Sequence, residues 1–263
     1  MSAGAKQGAT AILSARGIVN RFGKQVVHDH LDLDIRRGEI MGIAGGSGSG
    51  KSVLLKTLIG LHQPDAGEVL VDGKPVQSLS AAERASLIGV LFQQGALFSS
   101  LSVAQNIMVP MREHTGLPPK EQEQVAAMKL ALSGLPAETG IKYPSALSGG
   151  MVKRAAFARA LALDPKILFL DEPTADLDPI AAGGMDALIR QLNSSLGVTV
   201  VIVTHDLTTL FTLCGRIAVL VDSKVKVGTM EELLKIDHPW IREYFHGPRA
   251  EGAMNARKAS NGN

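Results

Sequence analysis

Eight consecutive residues, Gly45-Gly46-Ser47-Gly48-Ser49-Gly50-Lys51-Ser52, carry the sharpest chemical signal in this sequence. They fit the pattern G-x-x-x-x-G-K-[ST], in which glycines let backbone N–H groups turn inward around phosphate oxygens. A helix starting at such a loop adds the positive end of its dipole to the same anion site. The Lys51 ammonium would then reach the β- and γ-phosphates of a nucleoside triphosphate, with the Ser52 hydroxyl on Mg²⁺. A flexible Gly/Ser turn is the bland alternative, and it leaves the Lys-Ser ending to accident. Far downstream, the apolar run Ile167-Leu168-Phe169-Leu170 ends in Asp171 and Glu172. Adjacent carboxylates at the end of a buried strand are costly unless a cation or polar partner compensates. Asp171 suits the metal shell, and Glu172 suits the polarisation of an attacking water.

Such residues need elements to hold them. Apolar, β-branched runs at 39–44, 166–170 and 198–203 predict buried strands, each ending in glycine or polar residues. Stretches at 52–61, 150–162 and 180–192 predict helices between them. The alternation implies an α/β fold with a mainly parallel sheet covered on both faces, its working residues at the carboxyl ends of the strands. Residues 11–19 and 26–35 instead alternate apolar and polar around a turn at Phe22-Gly23, and 68–71 lead into Asp72-Gly73. These predict an antiparallel layer beside the parallel sheet. Residues 98–162 read as a helical insertion with no strong strand.

Composition excludes several function classes. Twenty-seven Lys and Arg against 25 Asp and Glu leave a net charge of +2, too little for nucleic-acid binding by bulk electrostatics. The single cysteine, Cys214, cannot form an internal disulfide and reads as a small buried apolar residue in a reducing compartment. Residues 1–10 lack the apolar stretch of a signal peptide. The apolar runs all fall short of the roughly 18 residues that a membrane span requires.

Between these motifs lies Leu147-Ser148-Gly149-Gly150-Met151, just ahead of a predicted helix. Here the sequence resembles the nucleotide-binding domains of ABC ATPases, whose signature is LSGGQ, with Met151 replacing the glutamine. The resemblance runs over residues 12–245. It implies a P-loop NTPase of ABC type, with one domain over 11–246, a helical subdomain over about 98–162 and a flexible tail over 247–263. It also implies that Phe22 stacks on adenine and that Gln93 links the metal to the transporter contact. Asp178 would lie in the dimer-crossing loop, and His205 would sense the γ-phosphate. Ordinary alternatives stay open: a core aromatic, a solvated loop glutamine, a strand-end histidine. Asp176 stands where the family often has Gly or Asn. The mechanism implied is an ATP- and Mg²⁺-dependent homodimer, each ATP held between one phosphate loop and the partner's Ser148-Gly149-Gly150.

The stretch 92–98, continuing through 106–110 and 112–115, is similar to the ATPases of Mce-type lipid transporters, those of the Mla system among them. That resemblance implies phospholipid as cargo and a peripheral place on the cytoplasmic face of a bacterial inner membrane. The implied partners are a permease pair, an Mce-domain lipid-binding protein and a small STAS-domain protein, with no nucleic acid. His238-Pro239-Trp240-Ile241-Arg242-Glu243-Tyr244-Phe245 is either an interface segment or a last helix packed on its own domain. Other readings are an ATPase for another solute, a soluble ABC protein and a binding-only cassette. Intact Lys51, Asp171, Glu172 and His205 count against the last.

Overall fold

In the computed structural model, residues 10–247, 250 and 252–253 are described. The chain begins with antiparallel strands β1 (Ala11–Phe22) and β2 (Gln25–Arg36), then β3 (Ile40–Gly45) and helix α1 (Lys51–Leu58). Next come β4 (Ala66–Val71), β5 (Lys74–Pro75), α2 (Ala81–Leu87) and β6 (Ile88–Leu91). Helices α3 (Val103–His114), α4 (Pro119–Leu132) and α5 (Gly149–Ala160) follow. The chain then alternates β7 (Ile167–Asp171), α6 (Pro179–Leu196), β8 (Thr199–Val203), α7 (Leu207–Leu213) and β9 (Arg216–Val221). It closes with β10 (Lys224–Gly228), α8 (Met230–Leu233) and α9 (Pro239–His246).

Two sheets result. One runs β2-β1-β4-β5 and is antiparallel; the other runs β10-β9-β3-β8-β7-β6, parallel except for the β10–β9 hairpin. Period-two alternation lets the central strands serve two cores. Ile167 and Phe169 join one cluster with α1 and the antiparallel sheet. Leu168 and Leu170 join another with α6, α7 and α9. A third cluster, built on Val103, Ile107, Met111, Leu130 and Ala155, holds α3, α4 and α5 together. Cys214 packs in the α6–α7 cluster, and burial pushes its thiol up, away from reactivity.

Capping fixes several ends. Ser102 and Gln105 form a capping box at α3, as Ser80 and Glu83 do at α2. Asp178 caps α6, Pro179 opens it, and Gly197 ends it in a left-handed conformation at φ 67°. That helix runs four residues beyond the end at 192 expected from the sequence. Conversely, α1 stops at Leu58, short of the expected 61. Of the tail expected from 247, residues 248–249, 251 and 254–263 lie outside the described residues. Ala250 and Ala253 are buried in the α6–α9 core.

Candidate functional site

Strand β3 is buried along its whole length and delivers Gly45 to the edge of the core, where the phosphate loop begins. Gly50, at φ 92°, is the loop's tightest point, and a Cβ there would stand 2.4 Å from Val27 Cγ1 and 2.7 Å from His28 Nε2. Only glycine fits both the backbone angle and the space. The antiparallel layer thus braces the loop through β2. Lys51 Nζ donates to the carbonyls of Gly45 and Gly46 at 2.8 and 3.0 Å, which holds the ammonium across the loop. Burial lowers the pKa of that ammonium, while Glu172 and Asp171 act in the opposite direction. Ser47, Gly48 and Ser52 are open or partly open to solvent along the same rim.

The neighbouring strands supply the acids. Asp171 closes β7, and the Glu172 backbone N–H donates to Val203 O of β8 at 2.8 Å. Glu172 takes a left-handed φ of 49°, a strained choice for a residue with a Cβ and one typical of functional turns. Its carboxylate is buried, and each oxygen accepts one bond, from Thr204 Oγ1 at 2.9 Å and from His205 Nδ1 at 2.7 Å, which leaves acceptor capacity free. That contact puts the Nδ1 proton between His205 and Glu172 and turns Nε2 away from the carboxylate. Burial, with Glu172 alongside, raises the Asp171 carboxyl above its ordinary pKa.

Gln93 is exposed, in the loop after β6. Its backbone carbonyl accepts from the buried Lys153 ammonium, which also donates to Glu172 O at 2.8 Å. One cation on α5 therefore ties the Gln93 loop to the turn that carries Glu172. Arg159 grips the same loop through Gly95 O at 2.8 Å and Ala96 O at 2.7 Å. Asn106 Oδ1 accepts from Phe98 N at 2.8 Å, anchoring the far end. Sequence reasoning missed Thr204, Lys153 and Arg159. The visible signal for Lys153 was a cation within two to four residues of Ala155, Ala156 and Phe157, with which it is buried on α5.

Other expected residues point outward. Phe22 is 50% exposed at the β1–β2 turn and stacks on His62 at 5.6 Å, so it is not a core aromatic. Ser148 and Gly149 are exposed, and Ser148 Oγ accepts from Met151 N at 3.4 Å as the cap of α5. Among the described residues nothing stands within 4 Å of a Cβ placed on Gly149. Gly150 lies against Leu177 and Ala181, which joins the signature turn and the Asp178 turn in one surface. The Asp178 carboxylate caps its own helix by accepting from Ile180 N and Ala181 N, both at 3.0 Å.

This layout, a glycine loop with its lysine beside two strand-end carboxylates and a histidine, suits hydrolysis of a phosphoanhydride. Comparison with known proteins agrees. The ABC transporter family matches residues 28–175. The intermembrane phospholipid transport ATP-binding protein MlaF of Haemophilus influenzae is 38% identical over 240 residues, covering 90% of each chain. MlaF of Escherichia coli K12 is 37% identical over 92% of this chain and 91% of its own. A probable ribonucleotide transport ATP-binding protein of Mycobacterium leprae is 39% identical over 90% of this chain and 69% of its own. Among solved structures, a dimeric ATP-binding cassette in a post-hydrolysis state with ADP and phosphate superposes with a TM-score of 0.76 at 31% identity, covering 82% of this chain and 98% of that one. The cbiO1 cassette of Clostridium perfringens gives 0.76 at 29% identity, over 93% and 99%. No described helix is long and apolar enough to cross a membrane. The chain belongs to the ABC transporter family, as one of its ATP-hydrolysing cassettes.

Proposed function

We propose that this cassette powers phospholipid transport, working as a homodimer bound to membrane permease subunits at the cytoplasmic face of an inner membrane. Each ATP is held by one copy's residues 45–52, with Phe22 against the adenine and the other copy's Ser148-Gly149-Gly150 against the γ-phosphate. The open, unfilled surface of the signature turn supports this, as does Ile180, 88% exposed beside the Asp178 turn. As the water oxygen bonds to the γ-phosphorus, Glu172 accepts its proton, the bond from the γ-phosphorus to the bridging oxygen breaks to leave ADP, and His205 steadies the phosphate being released.

The donor set fits Mg²⁺. Among the described residues no three His, Cys, Asp or Glu group as metal ligands. A cation would rest on Ser52, Gln93 and Asp171, the oxygen ligands that Mg²⁺ combines with phosphates. Bound there, it would neutralise charge on the β- and γ-phosphates.

A cavity of about 480 Å³ lies between β6 and α3, lined by Phe92, Ala96, Phe98, Pro110, His114 and others. It opens on the loop that Lys153 ties to Glu172, which suits it to receive a permease segment. An Mce-domain lipid-binding protein and a small STAS-domain protein complete the assembly.

The observation that carries the phospholipid reading is the match to two MlaF proteins along nearly the full length of both chains. The Mycobacterium leprae relative keeps ribonucleotide as a second reading. Tagging the chain in its native host and analysing the intact membrane complex by protein and lipid mass spectrometry separates them. A permease, an Mce-domain protein and bound phospholipid are expected. A permease without either lipid or an Mce-domain protein would leave the ATPase and overturn the cargo.

A further inference from the structure

Helix α9 presents two pairs of residues at i, i+4 spacing, the spacing that places side chains on one face. Ile241 and Phe245 are fully buried, and Phe245 meets Phe211 of α7 edge-on at 6.2 Å. Trp240 and Tyr244 are stacked on each other at 4.5 Å with an interplanar angle of 18°, and each is only partly covered. The first pair fastens the helix to the core. The second reaches the nucleotide machinery at two points. The indole edge of Trp240 lies on the phosphate loop, where a Cβ added to Gly46 would stand 3.1 Å from Nε1 and 3.7 Å from Cε2. Any residue larger than glycine at 46 would crowd the ring. The Tyr244 hydroxyl donates to the backbone carbonyl of His205 at 2.9 Å. His238 Nε2 lies 3.0 Å from Asp222 Oδ2 and steadies the start of the helix from the β9–β10 turn.

These two contact points follow neighbouring strands. β3 and β8 pair in parallel with Ile43 opposite Val203, and the phosphate loop and the His205 turn leave from those ends. We propose that Trp240 and Tyr244 are positioning residues, setting the His205 turn relative to the phosphate loop so that α9 moves with nucleotide binding and tunes hydrolysis. The inference rests on the ATPase reading and adds a device to it. A stacked pair of rings is stiff, so a displacement of the loop at Gly46 passes to the carbonyl of His205 through two side chains. His205 in turn bears on Glu172 through its 2.7 Å contact. Removing only the Tyr244 hydroxyl frees the turn without emptying any packed space.

Trp240 is the only tryptophan in the chain, so intrinsic fluorescence reads this contact directly. ATP with Mg²⁺ is titrated into the full chain carrying Glu172→Gln, which holds nucleotide without turning it over. Binding is followed in parallel with a fluorescent ATP analogue. The indole emission is expected to change along the same saturation curve. Tyr244→Phe is expected to lower kcat roughly two- to tenfold, with KM for ATP within about twofold and the melting temperature nearly unchanged. Saturable nucleotide binding with silent indole emission would overturn the inference and leave the ATPase reading standing. So would a Tyr244→Phe enzyme with wild-type kcat, or one in which only KM rises. If the analogue fails to bind at all, the ATPase reading falls and takes the inference with it.

Discussion

The phosphate loop with its neighbouring strand ends and the signature turn at the head of α5 are both built of small residues and polar side chains, yet they differ in completeness. Around the loop, Lys51 bridges Gly45 and Gly46, Glu172 is engaged by Thr204 and His205, and β2 presses on Gly50. At the signature turn, Ser148 caps its own helix and Gly149 faces open space among the described residues. One region is assembled within a single chain. In the proposed dimer the other is completed by a second copy, so that each chain would bring two halves of different sites.

Substitutions on the two sides sharpen this contrast. The largest effect belongs to Glu172→Gln, which keeps the side chain's size and one acceptor oxygen but cannot accept a proton. Steady-state hydrolysis is expected to fall about 100- to 10,000-fold while ATP affinity stays near wild type. Unchanged phosphate release would remove Glu172 from the role of base. Ser148→Arg acts on the open half. Hydrolysis is expected to fall roughly a hundredfold, as when one preorganised donor to a developing charge is lost. Binding of a fluorescent ATP analogue to the variant's own phosphate loop should hold within about twofold. Loss of that binding would mean that Ser148 serves the site of its own chain, and the division into two halves would collapse.

The assembled half was also the more legible one in the sequence. Residues 45–52 and the run ending in Asp171 and Glu172 announce themselves because local geometry alone dictates them: a glycine turn, a helix start, a buried strand end. Ser148 was legible only through the family order of motifs, since its own neighbours give it little to do beyond a cap. Strand β6 escaped notice, being four residues long with a glycine inside, and it becomes a strand through pairing with β7. The contacts of Lys153, Thr204 and Tyr244 escaped for a related reason. Each residue acts through a contact far away in sequence, such as Tyr244 on His205 or Lys153 on Gln93, and periodicity carries no record of such partners. The segment around Trp240 was read as interface or last helix, and it packs on its own domain through Ile241 and Phe245.

Assembling carboxylates in one half carries a cost, and Asp186 measures it. This residue of α6 lies behind the His205 turn, where the Thr209 hydroxyl stands 2.8 Å from Asp206 Oδ2 and 3.3 Å from both Asp186 oxygens, with one proton to share between the two carboxylates. Burial, with Asp206 adding repulsion, raises its pKa to about 6, against hydrogen bonding from Thr209 and a weaker pull from Arg190. The folded chain then holds this proton more tightly than the unfolded chain does. Stability from Asp186 is therefore greatest below the unfolded carboxyl value and is lost as pH rises from about 4 to about 6. At roughly two units the loss is at most about 3 kcal/mol, less where solvent reaches the group. Asp186→Asn keeps a polar partner for Thr209 and never ionises. Its melting temperature is expected to exceed wild type by a few degrees at pH 7.5, on the order of 2–4 °C per kcal/mol recovered. The gap between the two melting curves should narrow as the pH falls and have largely closed near pH 4. An equal gap at both pH values would show that Asp186 is not ionising against its surroundings, and the assembled half would then carry its acids without strain.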